Sequence, residues 1–298
     1  MYDVIVIGAG PAGLTAGIYA SRAGAKILII EKTAAGGQSN YAAELENYPG
    51  LDGVSGAELS TRMRAQALKY GAEIMSDEVT AIDAETKTVT TAYNGNISAK
   101  ALIFAAGTKN RPLDIDGEER FVGAGLSYCA VCDGGFFKGK TVVVNGGGNT
   151  AFKDALYLAK LCKKVYLVHR REGFRADKIY VERAKSADNI EFVLNATVTA
   201  LIGGQRLEAV EITDKNSGEK RVLNTEGIFV AIGTTPETEL LKGKITMDKH
   251  GYIPTDENMK TNIEGIYAAG DIRVKPLKQI ITAAADGAVA AEAAVNGV

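Results

Sequence analysis

Val4-Ile5-Val6-Ile7-Gly8-Ala9-Gly10-Pro11-Ala12-Gly13, followed by Lys26-Ile27-Leu28-Ile29-Ile30-Glu31, is the stretch on which the fold turns. A short, wholly apolar run rich in β-branched residues reads as a strand buried on both faces of a parallel sheet. After the glycines, the small residues of 14–23 read as a helix. A second apolar run then closes on an acid, Glu31, 18 residues beyond Gly13. Strand, glycine turn, helix, strand and acid are the parts of a dinucleotide-binding unit. Gly8 permits the tight turn, Gly10 lets the backbone approach a pyrophosphate, and Gly13 lets the helix pack on the strand. The helix N-terminus faces the phosphates, and Glu31 can accept a hydrogen bond from a ribose hydroxyl. Gly8, Gly10, Pro11, Ala12, Gly13 and Glu31 are therefore candidate cofactor residues.

The same pattern recurs downstream. Residues 141–144 read as a strand, Gly146-Gly147-Gly148-Asn149-Thr150-Ala151 as the glycine turn, 152–161 as a helix and 164–168 as the second strand. This second strand ends in His169-Arg170-Arg171, with Arg175 shortly after, where the first unit has an acid. An acid there binds the free 2′-hydroxyl of a ribose, whereas a basic cluster suits an added phosphate. A basic run at a strand end is also how a solvated face looks. The candidates in this second site are Gly148, Asn149, Thr150, His169, Arg170, Arg171 and Arg175.

Just upstream of the second loop stands Cys129-Ala130-Val131-Cys132-Asp133. Two cysteines two residues apart can close and reopen a small disulfide, and the motif lowers the pKa of one thiol. Asp133 can give or take the proton that thiol–disulfide exchange requires. Half of a zinc site and a pair of inert buried thiols are the plainer readings. Zinc asks for four ligands, and the remaining supply is Cys162, His169 and His250, with no second Cys-x-x-Cys. Cys162 reads as an inert thiol on an apolar helix.

The rest of the chain supplies the frame. Its 298 residues suffice for two domains, and a net charge of −2 leaves no basic footprint for nucleic acid. No run reaches the roughly 20 apolar residues that span a bilayer. With three cysteines and a start that leads straight into a strand, the expected place is the cytoplasm, and no membrane or nucleic-acid partner is expected. Residues 35–50 are rich in turn formers, 55–70 carry a helical apolar stripe, and strand-like runs at 78–83 and 86–93 lead to an Asn94-Gly95 hairpin signal. A strand at 100–105 ends near Gly107. The run Gly265-Ile266-Tyr267-Ala268-Ala269-Gly270-Asp271 reads as a strand that returns to the first unit's sheet, followed by an alanine-rich helix after Lys278-Gln279. The expected fold is α/β: two Rossmann-like nucleotide-binding domains with three-layer ββα architecture, the second inserted into the first. The expected bounds are 1–110 with 240–298 for the first domain and 111–239 for the second. The linkers near 109–115 and 234–241 would lie side by side as a hinge.

Taken together, Gly8–Gly13, Gly36-Gly37-Gln38, Glu46-Asn47-Tyr48-Pro49-Gly50, Cys129–Asp133, Gly146–Ala151, His169–Arg175 and Gly270-Asp271 with Gln279 resemble the low-molecular-weight bacterial thioredoxin reductases over essentially the whole chain. The resemblance implies FAD held by Gly8, Gly10, Pro11, Ala12, Gly13, Glu31, Gly37, Gln38, Asn47, Gly107, Asp271 and Gln279, and NADPH at the second loop. It implies a homodimer, a rotation of one domain against the other, and electron flow from NADPH through FAD to a Cys129–Cys132 disulfide and then to thioredoxin. Cys132 would face the flavin and Asp133 would handle protons. Sister enzymes of the family draw electrons from ferredoxin, and the intact basic cluster favours NADPH over that donor. Three positions depart from the family pattern: Asn145 replaces an aliphatic residue, Lys153-Asp154 replaces two acids, and Lys278 replaces the arginine before the glutamine.

Overall fold

The computed structural model describes residues 1–298 other than Ala43, Glu44, Glu46, Asp52 and Val298, and Cys132 without its side chain. The chain divides into two compact units, Met1–Lys109 with Thr235–Val298, and Asn110–Thr234. From the N-terminus come β1 (Tyr2–Ile7), α1 (Pro11–Arg22), β2 (Ile27–Glu31), α2 (Gly56–Lys69), β3 (Glu73–Ser76), β4 (Val79–Asp83), β5 (Thr88–Thr91), β6 (Gly95–Phe104) and β7 (Thr108–Asn110). The second unit holds β8 (Leu126–Ser127), α3 (Ala130–Asp133), β9 (Thr141–Asn145), α4 (Asn149–Ala159), β10 (Lys164–His169), α5 (Lys178–Lys185) and β11 (Ile190–Leu194). It continues with β12 (Ala196–Ile202), β13 (Ala209–Asp214), β14 (Lys220–Asn224) and β15 (Gly227–Val230). After β16 (Thr234–Pro236), β17 (Ile266–Ala268) and α6 (Ile280–Asn296) finish the first unit.

In the first unit β3, β2, β1, β6 and β17 form a parallel sheet, with Val4 opposite Ile27, Ile5 opposite Leu102 and Tyr267 opposite Ile103. The strand near the C-terminus thus does return to this sheet. Alternate residues of β1 and β2 serve two cores. Val4, Val6, Ile27 and Ile29 pack with Leu14 and Ile18 of α1 and the alanines of α6. Ile5, Ile7, Leu28 and Ile30 pack with Val79, Ile82 and Val89 of the antiparallel β4–β5–β6 layer. This double burial is why the runs are apolar without alternation. A Cβ on Gly287 of α6 would strike the carbonyl of Ala12, so the two helix backbones meet just behind the first glycine turn.

The second unit repeats the plan. Its parallel sheet runs β11-β10-β9-β15-β8, with α4 and α5 on one face and the antiparallel β12-β13-β14 layer on the other. Both units therefore have the helix, parallel-sheet and antiparallel-sheet layers of the expected fold class.

Several details differ from the sequence reading. Helix α1 starts at Pro11 rather than at residue 14, because proline's fixed φ and missing N–H suit the first helical position. β3, β12, β14 and α5 have no counterpart among the elements the sequence predicts. Each has few fully buried residues, Leu223 alone in β14 for example, and so little periodic signal. The chain re-enters the first unit at Thr235, ahead of residue 240. At the crossing, the Glu237 N–H donates to Gly107 O within the first unit, and the Arg111 N–H to Gly233 O within the second, each at 3.0 Å.

Candidate functional site

The first glycine loop leaves the C-terminal end of β1 in a conformation only glycine accommodates. Gly8 has φ +103°, and a Cβ there would lie 2.5 Å from Ala105 O. A Cβ on Gly13 would strike the carbonyl oxygen of Gly8, so α1 is seated directly on the turn. Gly10 precedes the first turn of α1, and a Cβ there would meet nothing within 4 Å, leaving open space before the helix N-terminus. Glu31 Oε2 accepts the Ala9 N–H at 2.7 Å, and its Oε1 accepts from the Thr33 N–H and hydroxyl, both at 2.9 Å. The acid thus braces the loop besides presenting a carboxylate at the strand end. Gly36 N–H donates to Ala9 O at 2.7 Å, which draws the segment with Gly37 and Gln38 beside the loop.

The C-terminal segment brings further residues to the same strand ends. Gln279 Oε1 accepts from Asn47 Nδ2 at 2.9 Å, and Gln38 Nε2 donates to Thr108 O at 3.3 Å, next to Gly107. Asp271 Oδ1 is buried with no hydrogen-bond partner, and burial raises its pKa. A dry acceptor of this kind is unfavourable unless a ligand supplies a donor. The open helix terminus, the braced acid and this orphaned oxygen together fit a dinucleotide with polyhydroxyl groups. Among the residues absent from the sequence reading is Asp286 of α6. Its carboxylate accepts from Gly270 N–H at 3.0 Å, Arg273 Nη1 at 3.0 Å and Lys275 Nζ at 2.6 Å. Lys278 lays its ammonium over the Tyr252 ring, 3.2 Å from the centroid.

In the second unit Cys129 is disulfide-bonded. Cys132 belongs to α3, and its side chain lies outside the described residues. Ser127, at the end of β8, was not singled out from sequence. Its hydroxyl donates to Asp133 Oδ2 at 2.6 Å and accepts the Cys129 N–H at 3.0 Å, tying the acid to the redox motif. Cys162 sits in the turn after α4, not on the helix as expected. It is buried and free, and burial with the nearby Glu226 charge pushes its thiol up to about 11.

Gly148 precedes α4 in extended conformation, and a Cβ there would again meet nothing within 4 Å. Arg170, Arg171 and Arg175 are exposed, and Thr150 is exposed in the first turn of α4. His169 differs from them: it is buried and its ring packs against Gly147, where any Cβ would collide with it. Burial lowers its pKa and the three arginines add to that, while its Nε2 lies 3.2 Å from Gly173 O. It supports the loop from beneath and does not stand among the arginines at the surface. The Asn149 side chain is also engaged within the protein, with Asp177. Of the departures from the family pattern, Asn145 is only half-buried at the end of β9, and Lys153 Nζ lies 5.0 Å from the Tyr180 ring centroid. Burial pushes the neighbouring Asp154 carboxyl up to about 7.

Residues 2–287 match the family model described as pyridine nucleotide-disulphide oxidoreductase. The chain is 43% identical to a thioredoxin reductase of Listeria innocua, covering 98% of this chain and 92% of that protein. The crystal structure of Lactococcus lactis thioredoxin reductase superposes with a TM-score of 0.95 at 39% identity, covering 99% of this chain and 98% of that one. A ferredoxin-flavin thioredoxin reductase from Clostridium acetobutylicum aligns over 99% of this chain and 97% of that one, at 30% identity with a TM-score of 0.54.

Proposed function

The chain belongs to the pyridine nucleotide-disulphide oxidoreductase family, and we propose that it is a thioredoxin reductase moving electrons from NADPH through FAD to a Cys129–Cys132 disulfide and on to thioredoxin. The observation that carries this reading is a disulfide-bonded Cys129, backed by Ser127 and Asp133, in a chain with two glycine loops whose second strands end in opposite charge. In this reading 1–110 and 240–298 hold FAD, while 111–239 hold NADPH and the redox pair. FAD supplies what side chains lack, accepting a hydride and passing two electrons to a disulfide.

The protein's own groups bind and orient. The open α1 terminus at Gly10, with Pro11 and the backbone of Ala12, would face the FAD pyrophosphate, while Gly13 seats the helix on the turn that does so. Glu31 accepts from a ribose hydroxyl, and Asp271 accepts the donor its buried oxygen lacks. Asn47 with Gln279, and Gly37, Gln38 and Gly107, line the remaining edge. At the second loop Gly148, Asn149 and Thr150 start the helix that meets the NADPH pyrophosphate, and Arg170, Arg171 and Arg175 read the added phosphate. One cysteine thiolate attacks the thioredoxin disulfide, the other resolves the mixed disulfide, and Asp133 exchanges the proton. Cytoplasmic residence is supported by the sparse cysteines, and among the described residues no helix is long and apolar enough to cross a membrane. The homodimer rests on the family resemblance alone.

Ferredoxin is the second reading of the donor, because a family member that uses it shares the scaffold. The whole basic cluster favours NADPH. An anaerobic titration of the yellow protein separates the two. Prompt flavin bleaching at near-stoichiometric NADPH, and much less with NADH, supports the first. Bleaching by reduced ferredoxin alone overturns it.

A further inference from the structure

We infer that Asp177 is a positioning residue that latches the arginine segment to the second glycine loop and thereby sets selectivity for a phosphorylated ribose. This rests on the NADPH reading above. Four contacts join residues 147–149 and 169 to residues 173–177. Asn149 Oδ1 accepts the Asp177 N–H at 2.7 Å, and Asn149 Nδ2 donates to Asp177 Oδ2 at 3.0 Å. The Arg175 N–H donates to Gly147 O at 2.9 Å. The His169 ring lies on Gly147 and reaches Gly173 O at 3.2 Å. The backbone that carries Arg175 is therefore fixed to the loop that meets the pyrophosphate, so two phosphate sites on one ligand are held at a set spacing.

Two features give Asp177 this part. It occupies the N-cap of α5, where an aspartate ordinarily accepts from the helix's own first N–H groups, yet its carboxylate makes no such bond and turns to Asn149. It also puts a negative charge two residues along the chain from Arg175, on the segment proposed as the phosphate reader. Charge alone makes that unfavourable, so geometry is what the acid contributes. The signal was invisible in the sequence because Asn149 and Asp177 lie in different elements.

The test is anaerobic stopped-flow of flavin bleaching against NADPH and NADH concentration, for the wild type, Asp177→Ala and Asp177→Asn. The latch predicts that Asp177→Ala raises the half-saturating NADPH about fivefold, the worth of one ordinary hydrogen bond. Its limiting rate stays unchanged, and its constant for NADH shifts less than about twofold. Asp177→Asn keeps an acceptor oxygen and removes the repelling charge, so it binds NADPH at least as well as the wild type. The inference is overturned if Asp177→Ala binds NADPH as tightly or tighter, if NADPH and NADH weaken alike, or if Asp177→Asn weakens as much as Asp177→Ala. A wild type with no preference for NADPH overturns the donor reading and this inference together. A wild type that prefers NADPH beside an unaltered Asp177→Ala overturns the inference alone.

Discussion

Asp154 on α4 has a carboxyl that burial pushes from 3.8 up to about 7. Because its folded pKa lies above its unfolded one, the stability it allows is fully present below about pH 4 and is lost as pH rises through about 7. Asp154→Asn should therefore be more stable than the wild type near pH 8, by on the order of a few kcal/mol, with the gap closing as pH falls toward about 5. His169 titrates in the opposite sense: its lowered pKa means stability present above its ordinary value is lost as pH falls. It is unchanged in both proteins, so it cancels in the difference. Denaturant unfolding at the two pH values checks this, and equal stabilities near pH 8 would refute it. At the redox motif, Ser127→Ala removes the hydroxyl that holds both Asp133 Oδ2 and the Cys129 N–H. Thioredoxin turnover should fall about tenfold while flavin bleaching by NADPH is preserved. A loss confined to the NADPH half-reaction would contradict the role given to Ser127. The glycine turns and the cysteine motif stand out in the sequence because their conformation or chemistry is peculiar to the residue type. Ser127, Asp177 and Asp286 do not, because an ordinary polar residue declares its role only through partners.

Elements were legible in proportion to how completely they are buried. β1, β2, β9 and β10 read clearly because both faces pack, leaving unbroken apolar runs between glycine and charge signals. β12, β14 and α5 present much of their surface to solvent, and their mixed sequences carry no decisive period. Helix α6 was legible as a helix, but not as a clamp. Its Asp286 takes up Arg273 and Lys275, whose side chains are only 14% and 5% exposed, and fixes the Gly270 N–H beside Asp271. Removing the acid leaves the enclosed Lys275 ammonium without its carboxylate and Arg273 with Thr255 alone among the described residues. Asp286→Ala should cost about 3–5 kcal/mol of stability and release FAD more readily. Thermal unfolding and flavin retention on a desalting column test both parts. An unchanged melting temperature would show that the cations find other partners.

For the molecule as a whole, the two glycine loops carried the fold class, and their opposite strand-end charges are what motivate the proposed division of labour. What the sequence could not reveal was how each loop is held, since the bracing contacts join residues such as Asn47 and Gln279 from opposite ends of the chain. On the proposed function, electrons that enter from NADPH reach thioredoxin only through the cysteine pair. The most direct test is NADPH consumption with oxidised thioredoxin, comparing the wild type with Cys132→Ser. Turnover should fall at least about 100-fold in the variant, while anaerobic NADPH still bleaches its flavin. Full thioredoxin-dependent turnover by Cys132→Ser would contradict the account.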